Sequence, residues 1–450
     1  MRKVPFRRVA VFAVLAACFT VGPAAAADLW QVYQEALSHD QQFAAARANA
    51  PAGREKMPQA MAAMLPTIGL TANSNWNDSE YTRRASPSVT SNLKYNNSGY
   101  AVTLSQPLFH WQAWVAYDEA KLLVAQSETQ LAQARQDLIL RVVQAYFDAL
   151  NAEENLKAVQ TQKSAIAQQL EQAKKNFEVG TSTITDSHEA QSRYDLATAQ
   201  EIGADNDLEV KRRTLQMIVG KESGALLGLK GDARIAPPQP AEMAKWVDAA
   251  EKDNLAVQLQ QAGSDIAARE VDRLRAAHYP TLDLVASYGR NSGSGALALG
   301  NVAPGYDNRS GVIGVQLNVP IFQGGSVLSQ QRVAEANRDA AAAGLENSRR
   351  NAALSARQAY LGVVSGVAQI RALEAALRSS QSALDANKLG YEVGVRINID
   401  VLNAEQQVYA TRSSLAKARF DTLLAQLKLK SAVGALSDED VQLLAGLLGQ

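Results

Sequence analysis

Short stretches of the chain alternate between apolar and polar residues. A period of two is typical of strands whose two faces meet different surroundings. It predicts strands over residues 66–76, 98–108, 281–290 and 311–321. In the second of these, Tyr100, Val102 and Leu104 share one face, and small or polar residues occupy the other.

The two faces of these strands allow two interpretations. An apolar outside with a small or polar inside is the pattern of a membrane β-barrel with a wet lumen. A soluble sheet with one face on a core would show a similar alternation. The length of about 10 residues per strand favours the barrel. The segments 77–98 and 291–310, rich in Asn, Ser, Gly and Asp, are predicted to be exposed loops.

Much longer stretches repeat apolar residues every three or four positions, as in a coiled-coil seam. One seam runs from Leu138 to Phe177 and is interrupted at Lys163. The pattern predicts long helices over 111–179, 184–219, 325–390 and 398–433, with shorter helical segments over 29–63 and 242–277. A helix from 111 to 179 is about 100 Å long at 1.5 Å per residue, too long for a compact globule.

The chain is an internal repeat. Leu65-Pro66-Thr67 recurs as Tyr279-Pro280-Thr281, Phe177-Glu178-Val179-Gly180 as Tyr391-Glu392-Val393-Gly394, and Val219-Gly220 as Val433-Gly434. The shift in numbering is the same for all of these pairs, and it is shorter by one between Pro107 and Pro320. We therefore predict a first repeat over 28–235, a second over 236–434 and a C-terminal tail over 435–450. The Gly- and Pro-rich stretch 220–240 is predicted to link the repeats.

Four strands are too few to close a membrane barrel, because the smallest single-chain barrels have about eight. An open sheet would also leave unpaired backbone groups in lipid. If these strands cross a membrane, several copies of the chain must complete the barrel.

The first 27 residues have the features of a secretory signal: a basic start, the apolar run Val9–Val21 and small residues before Asp28. Without the signal, 41 Lys and Arg face 45 Asp and Glu, a net charge of about −4. A near-neutral mixture argues against nucleic acid as a partner. The single cysteine, Cys18, lies in this signal, where Leu15-Ala16-Ala17-Cys18 also matches a lipoprotein processing box. Cleavage before Asp28 and lipidation of Cys18 both remain open.

No arrangement of residues typical of an enzyme or a metal site is present in the sequence. The four histidines, His39, His110, His188 and His278, lack the spacing of metal ligands, and no P-loop, Rossmann fingerprint or nucleophile elbow occurs. We expect no catalytic residues, no metal and no cofactor.

The turn between the two long helices is duplicated. Gly180 and Gly394 suit helix ends in the left-handed region. Thr185-Asp186 and Asn398-Ile399-Asp400 offer oxygen atoms that can cap the next helix. A purely structural capping role is one interpretation. In a tubular oligomer, however, an inward carboxylate in this turn would be repeated as a charged ring.

The sequence resembles the TolC family of outer-membrane export ducts over nearly the whole mature chain. The resemblance is carried by Leu29-Trp30-Gln31-Val32-Tyr33-Gln34-Glu35-Ala36, Leu65-Pro66-Thr67, Tyr279-Pro280-Thr281-Leu282-Asp283-Leu284, Pro320-Ile321-Phe322-Gln323-Gly324-Gly325, Val401-Leu402 and Lys430-Ser431-Ala432-Val433-Gly434.

The resemblance implies a mixed α+β membrane protein located in the outer membrane, with a large periplasmic portion. Three copies would form a 12-stranded β-barrel continuous with a 12-helix coiled-coil tunnel. The implied role is a passive exit duct for tripartite efflux or type I secretion. The implied partners are a periplasmic adaptor (membrane fusion) protein, an inner-membrane pump or ABC transporter, and outer-membrane lipid.

Site residues follow by motif from the same resemblance. Asp400 would line a periplasmic constriction, and Thr185, Asp186, Tyr391 and Arg396 would form the latch of the closed state. Adaptor tips would dock on the two turns, at Val179, Gly180, Thr181, Val393, Gly394 and Val395. The family's second constriction carboxylate, three residues after the first, is Asn403 here. We therefore expect a single aspartate ring and weaker cation selectivity.

Two other classes of protein are alternatives to an export duct. A periplasmic adaptor or coiled-coil scaffold also has long paired helices, but it lacks four amphipathic strands and an end-to-end duplication. An outer-membrane enzyme is disfavoured because the sequence has no catalytic pattern.

Overall fold

The computed structural model describes residues 28–84, 87–222, 224–231, 235–298 and 301–449. The predicted signal and Cys18 lie outside these residues. The helices are α1 Leu29–His39, α2 Gln41–Arg54, α3 Lys56–Ala62, α4 Trp111–Glu178, α5 Ile184–Val219, α6 Met243–Asp253, α7 Leu255–Arg275, α8 Ser326–Glu392, α9 Asn398–Ala432 and α10 Asp438–Gly446. The strands are β1 Thr67–Arg83, β2 Val89–Phe109, β3 Thr281–Ala298 and β4 Asn301–Asn318.

The four strands form one antiparallel sheet in the order β1-β2-β3-β4. The two hairpins have the same register: Thr67 lies opposite Ser105, and Thr281 lies opposite Asn318. The pairing of β2 with β3 shifts between Pro107 and Phe109. This irregularity falls at Pro107, which has no N–H to donate to the ladder.

The strands are longer than the alternation predicted. They span 17, 21, 18 and 18 residues, so most of the predicted loops 77–98 and 291–310 is strand. The composition was misleading because ladder hydrogen bonds join backbone groups and do not depend on the side chains. Polar residues on both faces therefore extend the hairpins beyond the apolar part of the sheet.

One face of the sheet is apolar and exposed in the single chain. Ile68 is 75% exposed and Ile313 is 77% exposed. Further apolar side chains exposed on this face are Leu70, Tyr100, Val102, Tyr288, Val315 and Leu317. The opposite face carries Thr67, Thr103, Gln316 and other small or polar residues. An apolar surface of this extent is typical of a face that contacts lipid or a partner.

The long helices are built on small and aliphatic seams. Helix α4 has 68 residues and α8 has 67, each about 100 Å at 1.5 Å per residue. Helix α8 packs along α9 through successive clusters, one of which joins Val363, Val367 and Leu429. None of the described helices has an apolar stretch of the length that a bilayer crossing requires.

The chain divides into two compact units. The first contains the described residues of 28–39, 142–231 and 439–449, and the second contains those of 40–141 and 235–438. In the first unit, Lys163, which interrupts the predicted seam, binds Glu201 at 2.7 Å and lies over the Tyr194 ring. Leu377 and Leu415 occupy the equivalent positions of the second repeat, in the second unit.

The predicted linker and C-terminal tail are ordered against each other in the first unit. The Tyr146 hydroxyl donates to the Leu227 carbonyl at 2.9 Å and accepts from the Leu227 amide at 3.0 Å. Leu229 forms a bridge with Leu448, and the tail contains helix α10. Residues 224–231 of the linker therefore have a defined path, which the Gly and Pro content of the linker did not indicate.

The first helical segment of each repeat is broken where one helix was predicted. Asp40 begins α2 by accepting a hydrogen bond from the Phe43 amide. Asn254, the equivalent residue of the second repeat, begins α7 by accepting from the amides of Ala256 and Val257. Such side-chain oxygens replace the missing backbone acceptors at the start of a helix. Each cap starts a new helix within a segment that is apolar at helical spacing throughout.

Asp40 differs from Asn254 in carrying a charge. Its carboxylate is 5% exposed and receives two hydrogen bonds from Arg141, at 2.8 and 3.0 Å. Burial works to raise the pKa of Asp40, but the bonds from Arg141 and from backbone amides outweigh it and hold this pKa below its ordinary value of 3.8. The ion pair therefore stabilises the fold at neutral pH.

We predict that Asp40→Asn keeps the helix cap and removes the ion pair, lowering the free energy of unfolding at pH 7 by about 2 kcal/mol. The pKa of Asp40 is depressed on folding, so its contribution is complete above about pH 4 and is lost as the pH falls further. Thermal melts of wild type and variant in detergent test this, because the gap should narrow below pH 4. An equal gap at pH 3 and pH 7 would contradict the assignment.

Candidate functional site

The turn after α4 joins α4 to α5 and lies in the first unit. Gly180 has a φ of 76°, and the amides of Thr181 and Ser182 both reach back to the Asn176 carbonyl, at 2.8 and 3.3 Å. A residue in the left-handed region followed by such a long-range bond is a common helix terminus. Val179 stands beside the glycine and is 73% exposed. Val179, Gly180 and Thr181, the predicted docking residues, thus form an exposed tip.

The turn after α8 repeats this geometry in the second unit. Gly394 has a φ of 81°, and the amides of Val395 and Arg396 reach back to the Gly390 carbonyl at 2.9 and 3.0 Å. Gly390 is the repeat equivalent of Asn176. A Cβ on Gly390 would come within 2.7 Å of the Arg396 side chain, so a larger residue here would require that side chain to move. Val393 and Val395 are exposed, as Val179 is.

The helices that follow the two turns begin differently. Thr183 caps α5: its hydroxyl accepts from the Asp186 amide at 3.3 Å, and the Asp186 carboxylate accepts from the Thr183 amide at 3.0 Å. This reciprocal pair is a capping box. The sequence prediction that Thr185-Asp186 supplies the cap is wrong for Thr185, which lies exposed within the helix. The spacing Thr183-x-x-Asp186 is the signal that would have identified the cap.

In the second turn the threonine is replaced by Ile397, which makes no side-chain cap for α9. The prediction that the sequence Asn398-Ile399-Asp400 caps this helix is therefore not met by Asp400, whose own amide bonds to the Ile397 carbonyl at 3.1 Å. The Asp400 carboxylate instead lies 3.6 Å from Arg396. Its equivalent in the first turn, Asp186, is held by Thr183. The two repeats thus use the same aspartate in two ways.

A second ion pair lies one turn further along α9, and the sequence prediction missed it. The Glu405 carboxylate is only 6% exposed and binds Lys388 of α8 at 2.9 Å. Glu405 occupies a buried seam position between Val401 and Val408. A charged residue at a seam position is the signal that points to a partner on the facing helix. This pair holds α8 and α9 together close to the turn.

The four residues predicted to form the latch are divided between the two units. Tyr391 lies in the last turn of α8 against the cluster of Leu384, Val401 and Val408. Asn403 is exposed on α9, three residues after Asp400. Thr185 and Asp186 belong to the first unit, whereas Tyr391 and Arg396 belong to the second. The structure brings Arg396 to Asp400, and a latch that joins the two units stays a prediction.

Long helical hairpins with exposed tips and a sheet with an exposed apolar face are the features expected of an outer-membrane duct protein. A model of the outer membrane efflux protein family matches residues 32–221 and 246–435, two ranges of equal length that are related by the same shift as the repeats. The chain belongs to this family. The double match confirms the tandem repeat.

Individual relatives agree with this assignment. Outer membrane protein TolC of Vibrio cholerae is 34% identical over 419 residues, which cover 92% of each chain. Alkaline protease secretion protein AprF of Pseudomonas aeruginosa is 32% identical over 417 residues, 92% of this chain and 85% of AprF. The crystal structure of VceC from Vibrio cholerae has the same fold, with a TM-score of 0.75 at 20% identity, covering 90% of this chain and 96% of that one.

The predicted class is confirmed by these matches. The protein is an outer-membrane exit duct with a large periplasmic portion, and its fold combines a barrel-forming sheet with long coiled-coil helices.

We predict that Thr183→Ala destabilises the start of α5 by about 1 kcal/mol, because the capping box is lost. Hydrogen exchange of the first-turn amides of α5, including that of Asp186, should accelerate about fivefold. The control is Ile397→Ala, which removes no cap and should leave exchange at the start of α9 unchanged. Equal acceleration in the two variants would show that the capping box has no special role.

Proposed function

We propose that three copies of the chain form a passive duct whose periplasmic entrance is closed at the α4–α5 and α8–α9 turns. The observation that carries this proposal is the Arg396–Asp400 pair at the turn that ends α8. Threefold symmetry would repeat Asp400 around the axis as a ring of carboxylates. A relative named as a protease secretion protein supports secretion as one use of the duct.

The proposed partners follow from the shape and chemistry of the turns. Exposed Val179, Val393 and Val395 flank glycines with no side chain, so each tip has a small apolar patch. Such tips suit helical-hairpin ends of a periplasmic adaptor, which an inner-membrane pump or ABC transporter would accompany. A duct of this kind needs no catalytic residue, and we propose no enzymatic role.

The ring of Asp400 carboxylates should be a weak cation filter. Arg396 lies within 3.6 Å of each carboxylate and offsets part of its charge. Asn403 adds no charge one turn later. Both features support the expectation of reduced cation selectivity relative to an entrance with two aspartate rings.

We predict that Asp400→Ala abolishes the cation preference of single channels in planar bilayers, while Asn403→Asp increases it. The matched control is Asp421→Asn, which removes a carboxylate that pairs with Lys417 on the same helix, far from the turn. The control should conduct like wild type. If Asp400→Ala leaves ion selectivity unchanged, Asp400 does not line the constriction; if a folded trimer does not conduct at all, the duct proposal itself fails.

The latch is proposed to join Thr185 and Asp186 to Tyr391 and Arg396. An exposed ion pair contributes only about 0–1 kcal/mol, but symmetry repeats each contact and can bias a two-state entrance. Asp186 is already held by Thr183, so its share in the latch depends on opening the capping box. Among the described residues, Asp400 is the one ion-pair partner of the Arg396 side chain.

We predict that Arg396→Ser combined with Tyr391→Phe increases single-channel conductance severalfold, because the contacts that keep the entrance closed are lost. Arg378→Ser with Tyr360→Phe, two α8 substitutions of the same types away from the turn, is the control and should leave conductance unchanged. Unaltered conductance in the first variant would refute the latch. A rise in both variants would indicate general loosening of the helices.

A further inference from the structure

The strands β1 and β4 are the two edges of the sheet, and among the described residues nothing pairs with their outer sides. In a membrane these backbone groups must find partners. Resting on the trimer of the proposed function, we propose that β4 of one copy pairs with β1 of the next in one defined register. In this register Ile313 lies opposite Trp76 of the neighbouring copy, and Arg309 forms an intersubunit ion pair with Glu80.

The register follows from the internal repeat. The hairpin β3–β4 reproduces the hairpin β1–β2 residue for residue, since Thr67 pairs with Ser105 as Thr281 pairs with Asn318. The contact of β2 with β3 therefore joins one repeat to the next within the chain. The contact of β4 with a neighbouring β1 joins the same two surfaces between copies. Equivalent surfaces are expected to pair in the same way.

In the middle of the β2–β3 contact, Tyr100 lies opposite Arg290. The repeat carries this pair over to the contact between β4 and the β1 strand of the next copy. The shift that relates Pro107 to Pro320 takes Tyr100 to Ile313. The shift that relates Thr281 back to Thr67 takes Arg290 back to Trp76. Moving outward along the antiparallel pair by four positions brings Arg309 opposite Glu80.

The faces of the strands agree with this register. Ile313 and Trp76 are both on the apolar face of the sheet and are 77% and 81% exposed in the single chain. On the other face, Gln316 would lie opposite Asn73, and Asn318 opposite Thr71. A slip by one residue would set apolar side chains against the polar lumen, so only slips by two residues remain to be excluded.

The charges decide between the remaining registers. Within the described residues, neither the Arg309 side chain nor the Glu80 side chain makes a hydrogen bond or an ion pair, although Arg309 lies near enough to Asp307 to help lower the pKa of that carboxyl. Asp307 itself is bound by Arg290. A slip by two residues in one direction would set Arg309 opposite Asp78, which already binds Lys94 at 3.1 Å. The opposite slip would set the apolar Ile313 against Asp78.

Disulfide cross-linking tests the register, since Cys18 is the only native cysteine and precedes the described chain. Val312→Cys with Asn77→Cys places two thiols directly opposite each other between copies. The matched controls are Val312→Cys with Asn75→Cys and Val312→Cys with Ser79→Cys, which fit the slipped registers. Diagonal neighbours are about 7–8 Å apart, beyond the usual span of a disulfide. Gly311→Cys with Asp78→Cys repeats the test at the adjacent pair, because close and wide pairs alternate along the ladder.

After oxidation and boiling in detergent without reductant, at least one predicted pair should give covalent trimer in severalfold excess over the slipped controls. Stronger cross-linking by a slipped pair would overturn the register. So would a heat-stable, conducting trimer in which neither predicted pair cross-links. Failure of the wild type to form any trimer would count against the proposed function instead.

The ion pair has its own test. Arg309→Glu and Glu80→Arg should each lower the temperature at which the trimer dissociates, and the double exchange should restore it. The control Lys94→Gln with Asp78→Asn removes a pair within one hairpin and should leave the cross-linking pattern unchanged. Additive losses in the double exchange, with no restoration, would show that Arg309 and Glu80 do not meet.

Discussion

Backbone hydrogen bonding in lipid is the constraint on which the rest of this structure depends. A β-strand that crosses a membrane must have both of its edges paired, because no water is present to replace a missing partner. One chain supplies four strands with two open edges, β1 and β4. The apolar face of these strands suits contact with lipid, and their number excludes closure of a barrel by one chain. Symmetric association is the arrangement that satisfies both conditions.

The same duplication that builds the sheet also determines how the helices end. Both turns place a glycine in the left-handed region and bond two amides to a carbonyl one turn back, at Asn176 and at Gly390. The first turn then holds its aspartate in a capping box, whereas Ile397 in the second turn leaves Asp400 to pair with Arg396. Ile397 in place of Thr183 and Arg396 in place of Ser182 thus separate a structural carboxylate from one that can serve an entrance.

Periodicity was a good guide where one interaction repeats along the chain. The seams predicted the bounds of the four long helices to within two residues at each end. Every turn of such a helix places an apolar residue on the same packed face, so the pattern continues along the whole element. The strands were underestimated, since ladder bonds continue through polar residues such as Asn77 and Asn92 that carry no alternation. The break at Asp40 was missed because it depends on a single cap and on Arg141, which is distant in the sequence. At the two turns, the sequence identified the motif residues but not the ion-pair partners, such as Arg396 for Asp400 and Lys388 for Glu405.

The partners of charges were hard to predict because the repeats conserve backbone geometry more closely than they conserve polar contacts. Lys163 and Glu201 become Leu377 and Leu415 in the second repeat, and Asp40 becomes Asn254. A half-buried ion pair and a pair of leucines can fill the same position because neither changes the helix spacing much, whereas half of an ion pair left alone is costly. Such pairs therefore have to be exchanged together. The internal repeat consequently predicts where backbones meet, and the unmatched charges then show which side chains complete each contact.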